Sequence, residues 1–271
     1  MDFYRTNTNN RANNMGDALE FYIKDLFCST MEVKDFNMKD REYSKYLSYL
    51  GNSNNPPDFI IRKAEAVEVK KIQNLSFGDI ALNSSYPKDI IYNESTLINR
   101  GCRTCEDDIG GWTKKDMIYT IGNIIDDKLR LLWILDGSCY CADKEVYERL
   151  KNTIRDGVEN INGVEFTETK ELGKVKKVDP LGITDLRIRG MWSIKHPNKV
   201  FDYLIEDYDT STEFQVYTLL LKEKYDILPQ ENKDELNDFI NMGVLKIKEV
   251  EVKNPNNPAQ FLEAILLDAS L

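Results

Sequence analysis

Pro57-Asp58 and Glu68-Val69-Lys70 bring two carboxylates and an ammonium into one short stretch. Asp58 opens the apolar run Asp58-Phe59-Ile60-Ile61. Glu68 and Lys70 lie in a second run, Ala66-Val67-Glu68-Val69-Lys70-Lys71-Ile72. The connection Arg62-Lys63-Ala64-Glu65 is short enough for a hairpin. Strand side chains alternate, so Glu68 and Lys70 share one face while Val67 and Val69 point into the core from the other. If 58–62 pair antiparallel with 64–68 about Lys63, Asp58 falls opposite Glu68, with Cβ atoms about 4.5–5.5 Å apart. Carboxylates that close repel unless a cation sits between them. A hard ion such as Mg2+ suits, because it takes a few carboxylate oxygens plus water or phosphate oxygens. Lys70 beside it would orient a water or stabilise an anionic transition state. A surface hairpin with a polar face would show the same short pattern. A site is favoured by the Pro-Pro that follows an Asn-rich loop and by the apolar strand around Glu68 and Lys70.

The rest of the composition narrows the chemistry. The chain of 271 residues has one histidine, His196, directly before Pro197. A multi-histidine metal site is therefore excluded, and a Ser-His-Asp or Cys-His pair would have to use that residue. His196 reads as a loop residue or a phosphate contact. The net charge is −10, from 36 Lys+Arg against 46 Asp+Glu. It is unevenly spread: residues 168–200 hold 8 basic and 4 acidic residues, and 201–271 hold 6 basic and 15 acidic. A basic stretch inside an acidic chain is compatible with a confined nucleic-acid site. No apolar run approaches the roughly 18 residues that span a bilayer. The N-terminus MDFYRTNTNN lacks an apolar signal core, so a cytoplasmic protein with no membrane partner is expected.

Around Asp58 and Glu68 the sequence resembles a known family. NPPDFIIRKAEAVEVKKIQ is similar to the PD-(D/E)XK nuclease signature. The blocks ALNSSYPK, GCRTCE, GWTKKDMIYTIG and DPLGITDLRIRGMWSI, in that order, resemble type II restriction endonucleases of the NgoPII type. The match runs from about residue 15 to 205. It implies that Asp58 and Glu68 bind Mg2+ with the Val69 carbonyl as a third ligand, and that Lys70 positions or activates the attacking water. Some superfamily members add a carboxylate from the N-terminal helix, for which Glu20 is best placed; it would equally suit a solvated helix face. The implied reaction is hydrolysis of double-stranded DNA at a short, palindromic, GC-rich site such as GGCC. A symmetric site implies a homodimer, and such an enzyme is partnered functionally by a protective DNA methyltransferase.

Two segments read as DNA contacts. Asn83, Ser84, Ser85 and Tyr86 are compact hydrogen-bonding groups, and Lys88 is a phosphate partner; an ordinary turn is the plainer reading. In the second segment, Asp185 to Trp192, an extended chain puts Arg187 and Arg189 on one face. Those arginines would read guanine edges or hold phosphates, or form a salt-bridged ribbon. Trp192 closes the segment as a further DNA contact, and Lys174, Lys176, Lys177, Lys195 and Lys199 would supply phosphate contacts. Cys102-x2-Cys105 and Cys139-x-Cys141 could supply four thiolates to a structural Zn2+. Reduced, buried cysteines are the alternative.

These residues need a scaffold. Residues 1–13 read as a flexible arm and Met15–Phe27 as an amphipathic helix, with a second helix at 38–50. The hairpin follows, then an irregular stretch from 73 to 115, strands near 117–125 and 129–136, and a helix near 143–156. The last third mixes strands near 174–178, 199–206 and 243–252 with a helix near 231–241. The expected fold is α/β: a restriction-endonuclease-like mixed central sheet flanked by helices, one domain over 1–271. Within it the catalytic core spans about 15–160, DNA-recognition elements about 161–205 and an acidic C-terminal elaboration about 206–271. Two rivals remain: a structure-specific repair nuclease or resolvase of the same superfamily, and a non-catalytic, zinc-stabilised DNA-binding module.

Overall fold

The computed structural model describes residues 11–160, 165–166, 173–206, 208 and 211–270. Residues 1–10 of the expected arm, and parts of the expected recognition region, lie outside them. The chain runs α1 (Arg11–Cys28), α2 (Phe36–Tyr46), β1 (Leu47–Tyr49), β2 (Phe59–Ile61), β3 (Ala66–Ile72), β4 (Ile80–Asn83), β5 (Ile90–Tyr92) and the short α3 (Arg100–Arg103). It continues with β6 (Lys114–Ile125), β7 (Lys128–Asp136), α4 (Gly137–Tyr140), α5 (Lys144–Glu159), β8 (Glu165–Phe166), β9 (Gly173–Lys176), β10 (Leu186–Ile188), β11 (Trp192–Ile194) and α6 (Pro197–Val200). The end of the chain holds β12 (Gln215–Leu221), α7 (Lys222–Asp226), α8 (Gln230–Asn241), β13 (Leu245–Asn254) and β14 (Asn257–Ser270).

Among the described residues a nine-stranded sheet dominates, in the order β1-β2-β3-β6-β7-β12-β14-β13, with β5 paired to β6. β3–β6 and β7–β12 are parallel and the other pairs in it antiparallel. The fold is the expected mixed sheet flanked by helices. Stretch 206–271, read as an elaboration, supplies three of its strands. A three-stranded sheet β10-β9-β8 and the two-stranded β4-β11 stand beside it.

Strand alternation explains why the sheet is covered on both faces. Phe59, Val67 and Leu132 join Leu19 and Ile23 of α1 and Tyr43 of α2 in one apolar cluster. Their chain neighbours Ile60, Ala66 and Leu131 join Tyr119, Trp133 and Tyr217 in the other. Leu19 and Ile23, one helical turn apart, are fully buried. Each such burial contributes about 1.5–3 kcal/mol. α1 can come this close because the sheet offers Gly122, where a β-carbon would sit 2.8 Å from Leu19 Cδ2.

Two expectations are corrected here. Arg11 to Asn13, placed in the arm, already belong to α1. The strand expected near 199–206 is instead α6 followed by turns. Pro197 stands in its first turn, and His196 caps it by accepting the Asn198 N–H at Nδ1, 3.1 Å.

Candidate active site

The hairpin register is the one anticipated. Phe59 pairs with Val67 and Ile60 with Ala66, as a turn about Lys63 requires. The Asp58 N–H donates to the Val67 carbonyl at 3.0 Å, so the regular ladder ends at Phe59 and the expected direct pairing of Asp58 with Glu68 is not made. Lys63 takes the turn with φ +64°. Asp58 Oδ2 accepts the Val69 N–H at 2.6 Å. Lys70 Nζ donates to Glu68 Oε1 at 2.6 Å. The remaining oxygen, Glu68 Oε2, is buried and has no hydrogen-bond partner.

The loop before β2 is held from two sides. Lys24 of α1, 5% exposed, donates to Glu20 Oε1 at 2.6 Å and to the Leu50 carbonyl at 3.0 Å. Gly51 follows with φ +83°, and a β-carbon there would overlap the Asp58 carbonyl oxygen. Helix α1 and the loop before β2 thus meet the hairpin near Asp58. Glu20 is close enough to act electrostatically on both Asp58 and Lys70.

Burial and the neighbouring Glu68 carboxylate push Asp58 up to about 7, against the pull of Lys70. Burial acts to lower the Lys70 pKa, but Glu68 and Asp58 outweigh it and the net shift is upward. An orphaned buried carboxylate oxygen beside a second carboxylate with a raised pKa is a site short of positive charge. That donor set suits a hard divalent cation completing its shell with water or phosphate oxygens. Among the described residues no three His, Cys, Asp or Glu side chains gather into a larger ligand group.

β4 pairs with β11, Trp192 opposite Asn83. The two segments read separately as DNA contacts are therefore neighbours. Asn83 and Ser84 are exposed at their turn and Lys195 is exposed beyond β11. Arg187 lies on β10, opposite Lys174 of β9, and Arg189 follows it; both are exposed.

Tyr86 and Lys88 differ from expectation. The Tyr86 hydroxyl donates to Glu148 Oε1 at 3.0 Å, and its ring packs on Tyr147 and Trp192. Lys88 is 5% exposed. Its Nζ donates to the Tyr86 carbonyl at 2.8 Å and to Ser85 Oγ. Its N–H donates to the Tyr119 hydroxyl at 2.8 Å, and Tyr119 pairs with Glu68 across β3 and β6. Burial lowers Lys88 to about 8, with Glu68 near enough to oppose that shift. A phosphate contact does not fit this burial. Lys88 stands instead buried within electrostatic reach of Glu68, a placement the sequence did not reveal.

His196 is also corrected. It is fully buried, its Nε2 is 3.0 Å from Asn123 Oδ1, and burial holds its pKa down to about 4. It is a neutral capping residue, not a phosphate contact. The cysteines do not assemble a zinc site either. Cys102, Cys139 and Cys141 are buried, and burial pushes the Cys102 and Cys141 thiols up to about 12. Cys105 sits by Ser48, whereas Cys139 and Cys141 bracket the end of α4. A zinc-stabilised module loses its basis.

No helix among the described residues is long and apolar enough to cross a membrane. Comparison with known proteins agrees with the resemblance read from the motifs. The NgoPII restriction endonuclease family model matches residues 2–253. The type II restriction enzyme NgoPII of Neisseria gonorrhoeae is 39% identical over 270 residues, covering 96% of this chain and 90% of that protein. No solved structure matches. A match over nearly the whole chain, spanning Asp58, Glu68 and Lys70, shows that the chain belongs to the NgoPII restriction endonuclease family.

Proposed function

We propose that this protein is a type II restriction endonuclease that hydrolyses double-stranded DNA at a short palindromic site, with Asp58, Glu68 and Lys70 at the reacting phosphate. The observation that carries the reading is the buried, unpartnered Glu68 Oε2 beside Asp58 in a chain of this family. Asp58, Glu68 and the Val69 carbonyl would hold Mg2+. When bound, the ion supplies Lewis-acid polarisation of the phosphate and neutralises its developing charge. Lys70 keeps its proton and acts as a donor, aiming a water at phosphorus and stabilising the oxygen that gains charge. Glu68 Oε1 fixes its ammonium. Lys24 ties α1 to the Leu50 carbonyl, so the helix carrying Glu20 braces the loop that delivers Asp58.

Asn83 and Ser84 at one strand end, with Trp192 on the paired strand and Lys195 just beyond it, form the surface proposed to meet DNA, and Arg187 and Arg189 add to it. A palindrome cut on both strands calls for a homodimer, and the cell would need a methyltransferase to shield its own sites. GC-rich duplexes, GGCC first, are the ones to test. Digestion of a sequenced plasmid with Mg2+ should give discrete fragments whose mapped ends share one sequence. Random degradation, or cutting at junctions and mismatches regardless of sequence, would favour a structure-specific nuclease.

A further inference from the structure

The turn between β9 and β10 is built to show apolar side chains to the outside. Leu181 and Ile183 are 83% and 81% exposed. Their turn is not loose. The Asp179 carboxylate accepts the N–H groups of Leu181 at 3.0 Å, Ile183 at 3.1 Å and Thr184 at 2.7 Å. Its carbonyl accepts the Gly182 N–H at 2.8 Å, with Gly182 at φ +67°. Val178 N–H closes the base of the turn on the Thr184 carbonyl at 2.9 Å. Two large apolar side chains on a rigid turn cannot fold back to bury themselves.

The stem below them is basic. β9 carries Lys174 and Lys176, Lys177 follows, and β10 leads through Arg187 to Arg189. Of the acids described in this turn and on the approach to β10, Asp179 is turned into its own loop and Asp185 pairs with Lys174 at 2.7 Å. An apolar tip on a basic stem matches a partner with a negatively charged outside and an apolar interior. Duplex DNA is such a partner, with phosphates outside and stacked bases within. Proteins that kink DNA pair basic contacts with apolar wedges between base steps.

We infer that Leu181 and Ile183 form a wedge that enters the base stack of bound duplex DNA, while the stem lysines and arginines hold the flanking phosphates. The chain places the wedge close to the surface already described, since Gly190 and Met191 alone separate Arg189 from Trp192 of β11. The inference rests on the proposed DNA-cleaving function and adds to it: part of the recognition would come from how readily a base step opens, not only from base edges.

The test uses the full chain and a duplex containing the mapped cleavage site, with Ca2+ replacing Mg2+ to keep it uncut. 2-Aminopurine is placed at successive positions in and beside the site. Wild-type binding should raise fluorescence at one step or two adjacent steps. Leu181→Ser with Ile183→Ser, both on the surface and so sparing the core, should abolish that rise. It should weaken binding on the order of tenfold per side chain while leaving the salt dependence set by phosphate contacts unchanged. The wedge is refuted by no rise at any position, or by a double variant that binds like wild type. It is equally refuted if the double variant turns a dimer into a monomer, which makes the turn a subunit contact. Vesicles containing phosphatidylserine bound by the wild type but not the variant would make it a membrane contact. Discrete plasmid fragments with Mg2+ uphold the restriction reading whatever the fluorescence does. Their absence removes that reading, while fluorescence on any bound duplex still judges the wedge.

Discussion

Asp58 shows what it costs to bury two carboxylates side by side. The folded chain holds the Asp58 proton up to about pH 7, whereas an unfolded chain releases it near 4. Between those values the native state binds more protons than the unfolded state, so the stability gained from protonated Asp58 is lost as pH rises through that window. Asp58→Asn cannot ionise. It should match the wild type near pH 4 and exceed it at pH 8, without divalent metal, by roughly 1–3 kcal/mol. Mg2+ should then stabilise the wild type and not the variant. Urea melts at the two pH values check this; equal stability at pH 8 would mean that Asp58 carries no such strain. The nearness of Asp58 to Glu68 was legible because the β2–β3 register and a turn about Lys63 are set locally. The burial of Lys88 and His196 was not. It depends on Tyr119, Asn123 and other groups far away in sequence, brought in by the sheet.

At the scale of elements, close approaches decide whether the site forms. The loop before β2 runs so near Asp58 that Gly51 has no room for a side chain. Gly51→Ala also places a β-carbon at φ +83°, where L residues are disfavoured. It should cut the cleavage rate at least tenfold while the far-ultraviolet spectrum stays native, because the damage is a displaced carboxylate and not a lost core. Wild-type cleavage by Gly51→Ala would show that Asp58 need not sit where this loop puts it. The strands that sequence reading missed have a common cause. β14 contains Leu262-Glu263-Ala264-Ile265-Leu266-Leu267, rich in residues that favour helix, yet β12 and β13 flank it on both sides. Pairing in the sheet overrides local preference there. Near 199–206, where a strand was expected, His196-Pro197 instead starts a helical turn.

For the molecule as a whole, the acidic C-terminal quarter is part of the frame that carries the site. β12 lies parallel to β7 at the centre of the sheet, and Tyr217 packs on Trp133 with ring centroids 4.6 Å apart. A chain ending at residue 205 would expose β7 as an open edge and uncover Trp133. It should be insoluble or unfold without cooperativity in a thermal melt. A soluble fragment that still cuts DNA would show that this quarter is dispensable. Its charge was readable from sequence and its place was not, because joining β7 requires contact across about eighty intervening residues. The central claim, that this frame holds a DNA-cleaving site at Asp58, Glu68 and Lys70, meets its most direct test in Glu68→Ala. Single-turnover cleavage of the mapped duplex with Mg2+ is compared with binding of the same duplex in Ca2+. The variant should bind within a few-fold of wild type and cut at least about a thousandfold more slowly. Cleavage at the wild-type rate would contradict the account.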